Sequence, residues 1–96
     1  MASLGTILLD ISIPGVKSLK EKRGIIKPII QKLRRNFNVT VAEVEYHDNW
    51  SRAVFLCAIA SNDRRYCQQQ SMKLVDFFEN NFLSVYLISH HIEFMF

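Results

Sequence analysis

The sequence predicts one α+β domain of β-α-β-β-α-β order, with two helices on one face of a four-stranded antiparallel sheet. Three observations predict it. Residues 4–13 alternate apolar and polar side chains with the period of a half-buried strand. Two later segments, opening at Ser18 and at Ser61-Asn62-Asp63, carry apolar residues at helical spacing behind capping residues. Each helical segment is followed by a run rich in β-branched and aromatic residues, as strands require.

In the first segment Ile7, Leu9, Ile11 and Ile13 share one side, and Thr6, Asp10 and Ser12 the other, with Leu8 an apolar exception on the polar side. Pro14-Gly15 ends the strand with turn chemistry. Ser18 and Glu21 form a capping box in which the hydroxyl accepts from the backbone and the carboxylate reaches back. Leu19, Ile26, Ile29, Ile30 and Leu33 then fall on one helical face. Pro28 removes a donor and crowds the Gly24 carbonyl, so a kink near Gly24 is expected rather than a stop, because the apolar stripe continues in phase.

Phe37 to Tyr46 reads as the second strand. Its apolar side changes from Val39 and Val41 to Ala42, Val44 and Tyr46, which places a bulge near Ala42. Residues His47 to Arg52 connect to a third strand, Ala53 to Ala60, apolar on both faces. In the second helix Cys67, Ser71, Leu74, Val75 and Phe78 stand above one another, and Asn80-Asn81 closes it. Phe82 to Phe96 reads as a last, long strand. Strand-helix-strand twice, with a hairpin between, is the ferredoxin-like sandwich, and its first and third strands are central.

Ninety-six residues form a single domain spanning 1–96, and the 49% hydrophobic content with seven Phe supplies a core. Cys57 and Cys67 are too few for a disulfide framework and read as small buried hydrophobes. Asp10 within the first apolar stretch and the absence of a basic start argue against a signal peptide. The longest apolar run, Ala53 to Ala60, is far short of the roughly 20 residues of a membrane helix. A cytoplasmic protein without a membrane segment is expected.

The net charge of +3 conceals a segregation. Residues 17–35 hold eight basic side chains and one acid, Glu21, a net +7, while the remainder holds four basic and eight acidic ones, a net −4. Lys20, Arg23, Lys27 and Arg34 cluster on one side of the first helix, with Lys17 just before it and Arg35 as an addition. Such a row attracts phosphates because each one neutralised releases condensed counterions. Lys/Arg-rich helices also serve solubility, their long stems covering apolar neighbours.

Other constellations point to less. The turn Pro14-Gly15-Val16-Lys17-Ser18 lacks the glycine spacing of a nucleotide-binding loop. The third strand, Arg52 to Ile59, offers only Arg52 and a displaced Phe55 toward base stacking on the sheet, and the first strand has no aromatic. His47, Asp48 and Trp50 share the hairpin loop, but no nucleophile motif accompanies a His-Asp base. His90 and His91 point to opposite faces of a strand, and no metal set is recognisable. Neither a catalytic site nor a cofactor is expected.

The blocks Ser18-Leu19-Lys20-Glu21-Lys22-Arg23, Phe37 to Val44, Tyr46 to Ala53 and Ser61-Asn62-Asp63 resemble the YlxP-like family of small bacterial proteins of unknown function. The resemblance runs from the first strand into the second helix. It implies a ferredoxin-like fold. Members are often encoded beside translation-initiation and ribosome-maturation factors, which implies ribosomal RNA or the small ribosomal subunit as partner. The resemblance carries no catalytic residues.

Two functional expectations follow. In the first, a non-enzymatic RNA- or ribosome-associated domain meets phosphates through Lys17, Lys20, Arg23, Lys27, Arg34 and Arg35. In the second, the chain is a homodimer or interaction domain that uses Trp50 and the apolar side chains left on the open sheet face, Leu8 among them.

Overall fold

The computed structural model describes residues 1–96. Its elements are β1 (Ser3–Ser12), α1 (Leu19–Asn36), β2 (Thr40–Glu45), β3 (Arg52–Ser61), α2 (Arg64–Asn81) and β4 (Tyr86–Phe94). The strands form one antiparallel sheet of order β2-β3-β1-β4, so β1 and β3 are central, as a ferredoxin-like sandwich requires. No helix is long and apolar enough to cross a membrane.

Period-two alternation decides which face of β1 is buried. Ile7, Leu9, Ile11 and Ile13 are fully enclosed, and opposite them on β3 lie Cys57, Phe55 and Ala53. The helices close this face with Ile26, Ile29 and Leu33 of α1 and with Cys67, Leu74, Val75 and Phe78 of α2. Both helix starts are capped by side chains. Ser18 Oγ accepts from the Glu21 backbone at 3.1 Å, and Asp63 Oδ1 from the Arg65 backbone at 2.9 Å. The Glu21 carboxylate reaches back one residue beyond the cap, accepting from the Lys17 backbone at 2.8 Å. Pro28 does not interrupt α1.

Several expected positions shift. β2 begins at Thr40 rather than Phe37, and its bulge lies between Glu43 and Glu45 instead of near Ala42. β4 begins at Tyr86 rather than Phe82, because Phe82 caps α2 and packs its ring against Phe77 and Phe78 at 6.0 and 5.2 Å. A hydrophobic run continued past the helix end thus belongs to an aromatic cluster and not to the strand.

The uncovered face of the sheet carries a cross-strand row of Ala42, Leu56 and Leu8, continued by His91 on β4. Leu8 is therefore on the open face, as its phase predicts, and is 38% exposed.

Candidate nucleic-acid interface

The site is built on the flank of α1 that faces the β2 edge. Residues 22, 26, 29 and 33 form the buried stripe of the helix. Residues 20, 23, 27 and 34 recur at helical spacing about a third of a turn away from it. Lys20, Arg23, Lys27 and Arg34 therefore share one flank, and all four are exposed. The Arg34 guanidinium identifies the flank, since its Nη2 donates to the Val41 carbonyl of β2 at 3.0 Å. That bond uses a carbonyl of an edge strand and holds the arginine at one end of the row.

Lys17 and Arg35, one before and one after this row, are exposed as well, and helical spacing groups four of the six expected cations on the flank. None of the six is tied to a carboxylate. The ion pairs of the molecule are Lys22–Glu43 and Arg52–Asp10, and His91 Nε2 lies 2.8 Å from Glu93 Oε1. Lys32 belongs to the opposite flank, where its ammonium lies 5.9 and 5.7 Å from the ring centres of Phe77 and Phe82.

Beside the row runs a depression of 210 Å³ between α1 and β2, with Leu19, Ile26 and Ile30 as its apolar part and Arg23, Lys27, Lys22, Glu43 and His47 as its polar part. Glu43 is the one carboxylate in it. Lys22, only 2% exposed, neutralises that carboxylate from within: its Nζ is 3.0 Å from Glu43 Oε2 and donates to the Tyr46 carbonyl at 2.6 Å. The ammonium lies off the axis of a good hydrogen bond to Oε2, so the contact with that oxygen is mainly electrostatic.

Sequence reasoning missed this pair, although each partner left a signal. Lys22 precedes Ile26 by four residues and so interrupts the buried stripe of α1. Glu43 follows Val39 and Val41 at period two and lies opposite the buried Phe55. Glu43 is a charged residue at an inward position, matched by a charged residue on the helix above, and the change of side in β2 comes at the bulge that follows it.

The β2–β3 hairpin loop, residues 46–51, adjoins the N-terminal part of α1. Tyr46 adopts φ 64°, the left-handed region, which turns its carbonyl toward Lys22. His47 Nε2 lies 3.0 Å from the Glu43 carbonyl oxygen, so the ring is engaged by backbone and forms no dyad with Asp48. Asn49 Oδ1 accepts from the Ser51 backbone at 2.9 Å and from the Ser51 hydroxyl at 3.1 Å. Arg52, at the start of β3, makes a two-pronged contact with Asp10 at 3.0 and 2.7 Å and stacks on the Tyr46 ring at 4.6 Å. The hydrogen bond to Asp10 holds the guanidinium above the ordinary arginine range.

The two expected interface residues lie apart. Leu8 sits mid-sheet on the open face, whereas Trp50 is in the hairpin loop and lines a different depression. No cluster of His, Cys, Asp and Glu suited to a metal ion occurs.

The family model described as "Protein of unknown function (DUF503)" matches residues 4–92. The chain is also similar to "Uncharacterized protein YlxP" of Bacillus subtilis (strain 168), with 33% identity over 63 residues. That alignment covers 66% of this chain and 68% of the relative.

Proposed function

The chain belongs to the DUF503 family of proteins of unknown function, and from that footing we propose that it is a non-enzymatic RNA-associated protein whose working surface is the β2-facing flank of α1. The supporting observation is the row Lys20, Arg23, Lys27 and Arg34, free of carboxylate partners and bordered by a groove whose single acid is neutralised by Lys22. Cations held in register along a helix match the regular charge of a polynucleotide backbone and carry no base code. Binding is therefore sequence-independent. The partner in this reading is ribosomal RNA or the small ribosomal subunit, met in the cytoplasm.

Four phosphate contacts give an affinity that falls about 50–150-fold between 50 and 200 mM salt. Co-sedimentation with ribosomal subunits across a salt series tests partner and mechanism together. The Lys20→Glu/Arg23→Glu/Lys27→Glu variant should lose binding while keeping its circular dichroism spectrum, since all three side chains are exposed. Equal binding by wild type and variant at low salt rules out this surface.

A second reading, compatible with the first, draws on the open sheet face. The row of Ala42, Leu56 and Leu8 favours a homodimer that buries it. Sedimentation equilibrium should then show a dimer that Leu8→Asp converts to monomer. A wild-type monomer at high protein concentration removes this reading.

A further inference from the structure

We propose that the hairpin loop of residues 46–51 extends the α1 surface as a stacking site for an unpaired base, with Trp50 as its platform, so that the RNA taken by this protein is single-stranded. The inference rests on the reading of α1 as the phosphate-binding flank and specifies its ligand.

Trp50 is 49% exposed and makes no ring–ring or cation contact within the protein. Its neighbour Tyr46, by contrast, already carries the Arg52 guanidinium on its ring. About half of this residue is therefore open to a ligand. Trp50, Tyr46, His47, Asp48 and Val16 surround a shallow concavity of 820 Å³. His47 also lines the depression that holds Arg23 and Lys27, so the two surfaces are continuous through that residue.

The loop is held in place before any ligand arrives. Lys22 bonds its Tyr46 carbonyl to α1, Asn49 accepts from Ser51, and the Asn49 backbone donates to the Tyr46 carbonyl at 3.0 Å. A platform ordered in advance loses little conformational freedom on binding.

Charge divides the labour between the two surfaces. The concavity carries one carboxylate, Asp48, and no lysine or arginine, so it repels a phosphate. An uncharged base lacks that penalty, and its exocyclic amino group can donate to Asp48. Phosphates are left to the cations of α1. Cationic groove plus aromatic platform is the physical signature of single-strand binding, and a duplex, whose bases are already stacked on one another, offers the platform nothing.

The chain contains one tryptophan, so its intrinsic emission reports the platform directly. A short end-labelled single-stranded RNA and its duplex are titrated at low salt, reading label anisotropy and tryptophan emission together. The single strand should quench Trp50 and bind more tightly than the duplex. Trp50→Ala should weaken single-strand binding about tenfold while sparing the duplex, and Trp50→Phe should restore most of the loss. If RNA binds through Lys20, Arg23 and Lys27 but tryptophan emission is unchanged and Trp50→Ala binds equally, the stacking site is overturned and the α1 reading stands. If neither RNA binds, both fall. If Trp50→Ala alters only the oligomeric state, the indole is a protein contact and the stacking site is likewise overturned.

Discussion

The ammonium of Lys22 donates to the carbonyl of Tyr46 at 2.6 Å across 24 residues of chain, joining the buried face of α1 to the left-handed residue that follows β2. Glu43 stands 3.0 Å from the same nitrogen, so one buried cation fixes helix, edge strand and hairpin loop relative to one another. This tie sets where the loop stands beside the cationic flank, and its energetics are open to measurement.

Removing one member of the tie should cost more than replacing both. Glu43→Ala leaves an enclosed ammonium with a single carbonyl partner and should destabilise the fold by about 3 kcal/mol in urea denaturation. Lys22→Met combined with Glu43→Leu puts apolar groups of similar volume in place of the charges and should recover most of that loss. A double variant less stable than Glu43→Ala would contradict a pair whose cost is chiefly desolvation.

Tyr46 offers a test of the backbone alone. At φ 64° a residue with a Cβ is strained by about 1–2 kcal/mol relative to glycine. Both Tyr46→Ala and Tyr46→Gly lose the contact with Arg52, so their difference isolates the conformation. Tyr46→Gly should be the more stable by about 1 kcal/mol, read from thermal or denaturant unfolding.

Two glycines should respond to alanine with opposite signs. A Cβ on Gly5 would stand 3.1 Å from Phe94 Cε1, 3.1 Å from Ser71 Oγ and 3.2 Å from Cys67 Sγ, so strand and α2 must separate. Gly5→Ala should therefore cost about 1–3 kcal/mol. A Cβ on Gly24 meets nothing within 4 Å, and Gly24→Ala should stabilise α1 by about 0.5–1 kcal/mol.

Alkaline pH should weaken the fold through Cys57. Burial pushes its thiol from an ordinary 9.0 up to about 12. Between those values the unfolded chain releases the proton and the folded chain keeps it, so unfolding gains free energy as pH rises. Stability should be unaffected by this group below pH 9 and fall toward pH 12, by at most about 1.4 kcal/mol per pH unit. Cys57→Ala should flatten the decline, and iodoacetamide should label Cys57 in the wild type only on unfolding.

Most of the fold was legible because it follows from local periods. The alternation of Ile7, Leu9, Ile11 and Ile13 and the helical spacing of Ile26, Ile29 and Leu33 each assign an inward face without reference to the rest of the chain. Ser18 and Asp63 announce helix starts by hydrogen bonds made within the next three residues. The start of β4 was not legible, because Phe82 is as suitable for a strand as for the ring cluster with Phe77 and Phe78, and only the packed neighbours decide. The cationic row was legible as four residues on one flank. Its outlook onto β2 was not.

By itself the sequence determined the order of elements, the layer arrangement, the two caps and the clustering of positive charge on α1. These depend on interactions or periodicities confined to a few neighbouring residues. The tertiary structure alone decided that Lys22 and Glu43 are partners, that the β2 bulge falls after Glu43, and that the hairpin loop bearing Trp50 adjoins Arg23 rather than Leu8. Each of these is a meeting of groups on different parts of the chain, set by sheet register and helix docking, and the spacing of residues along one element holds no record of what stands opposite it.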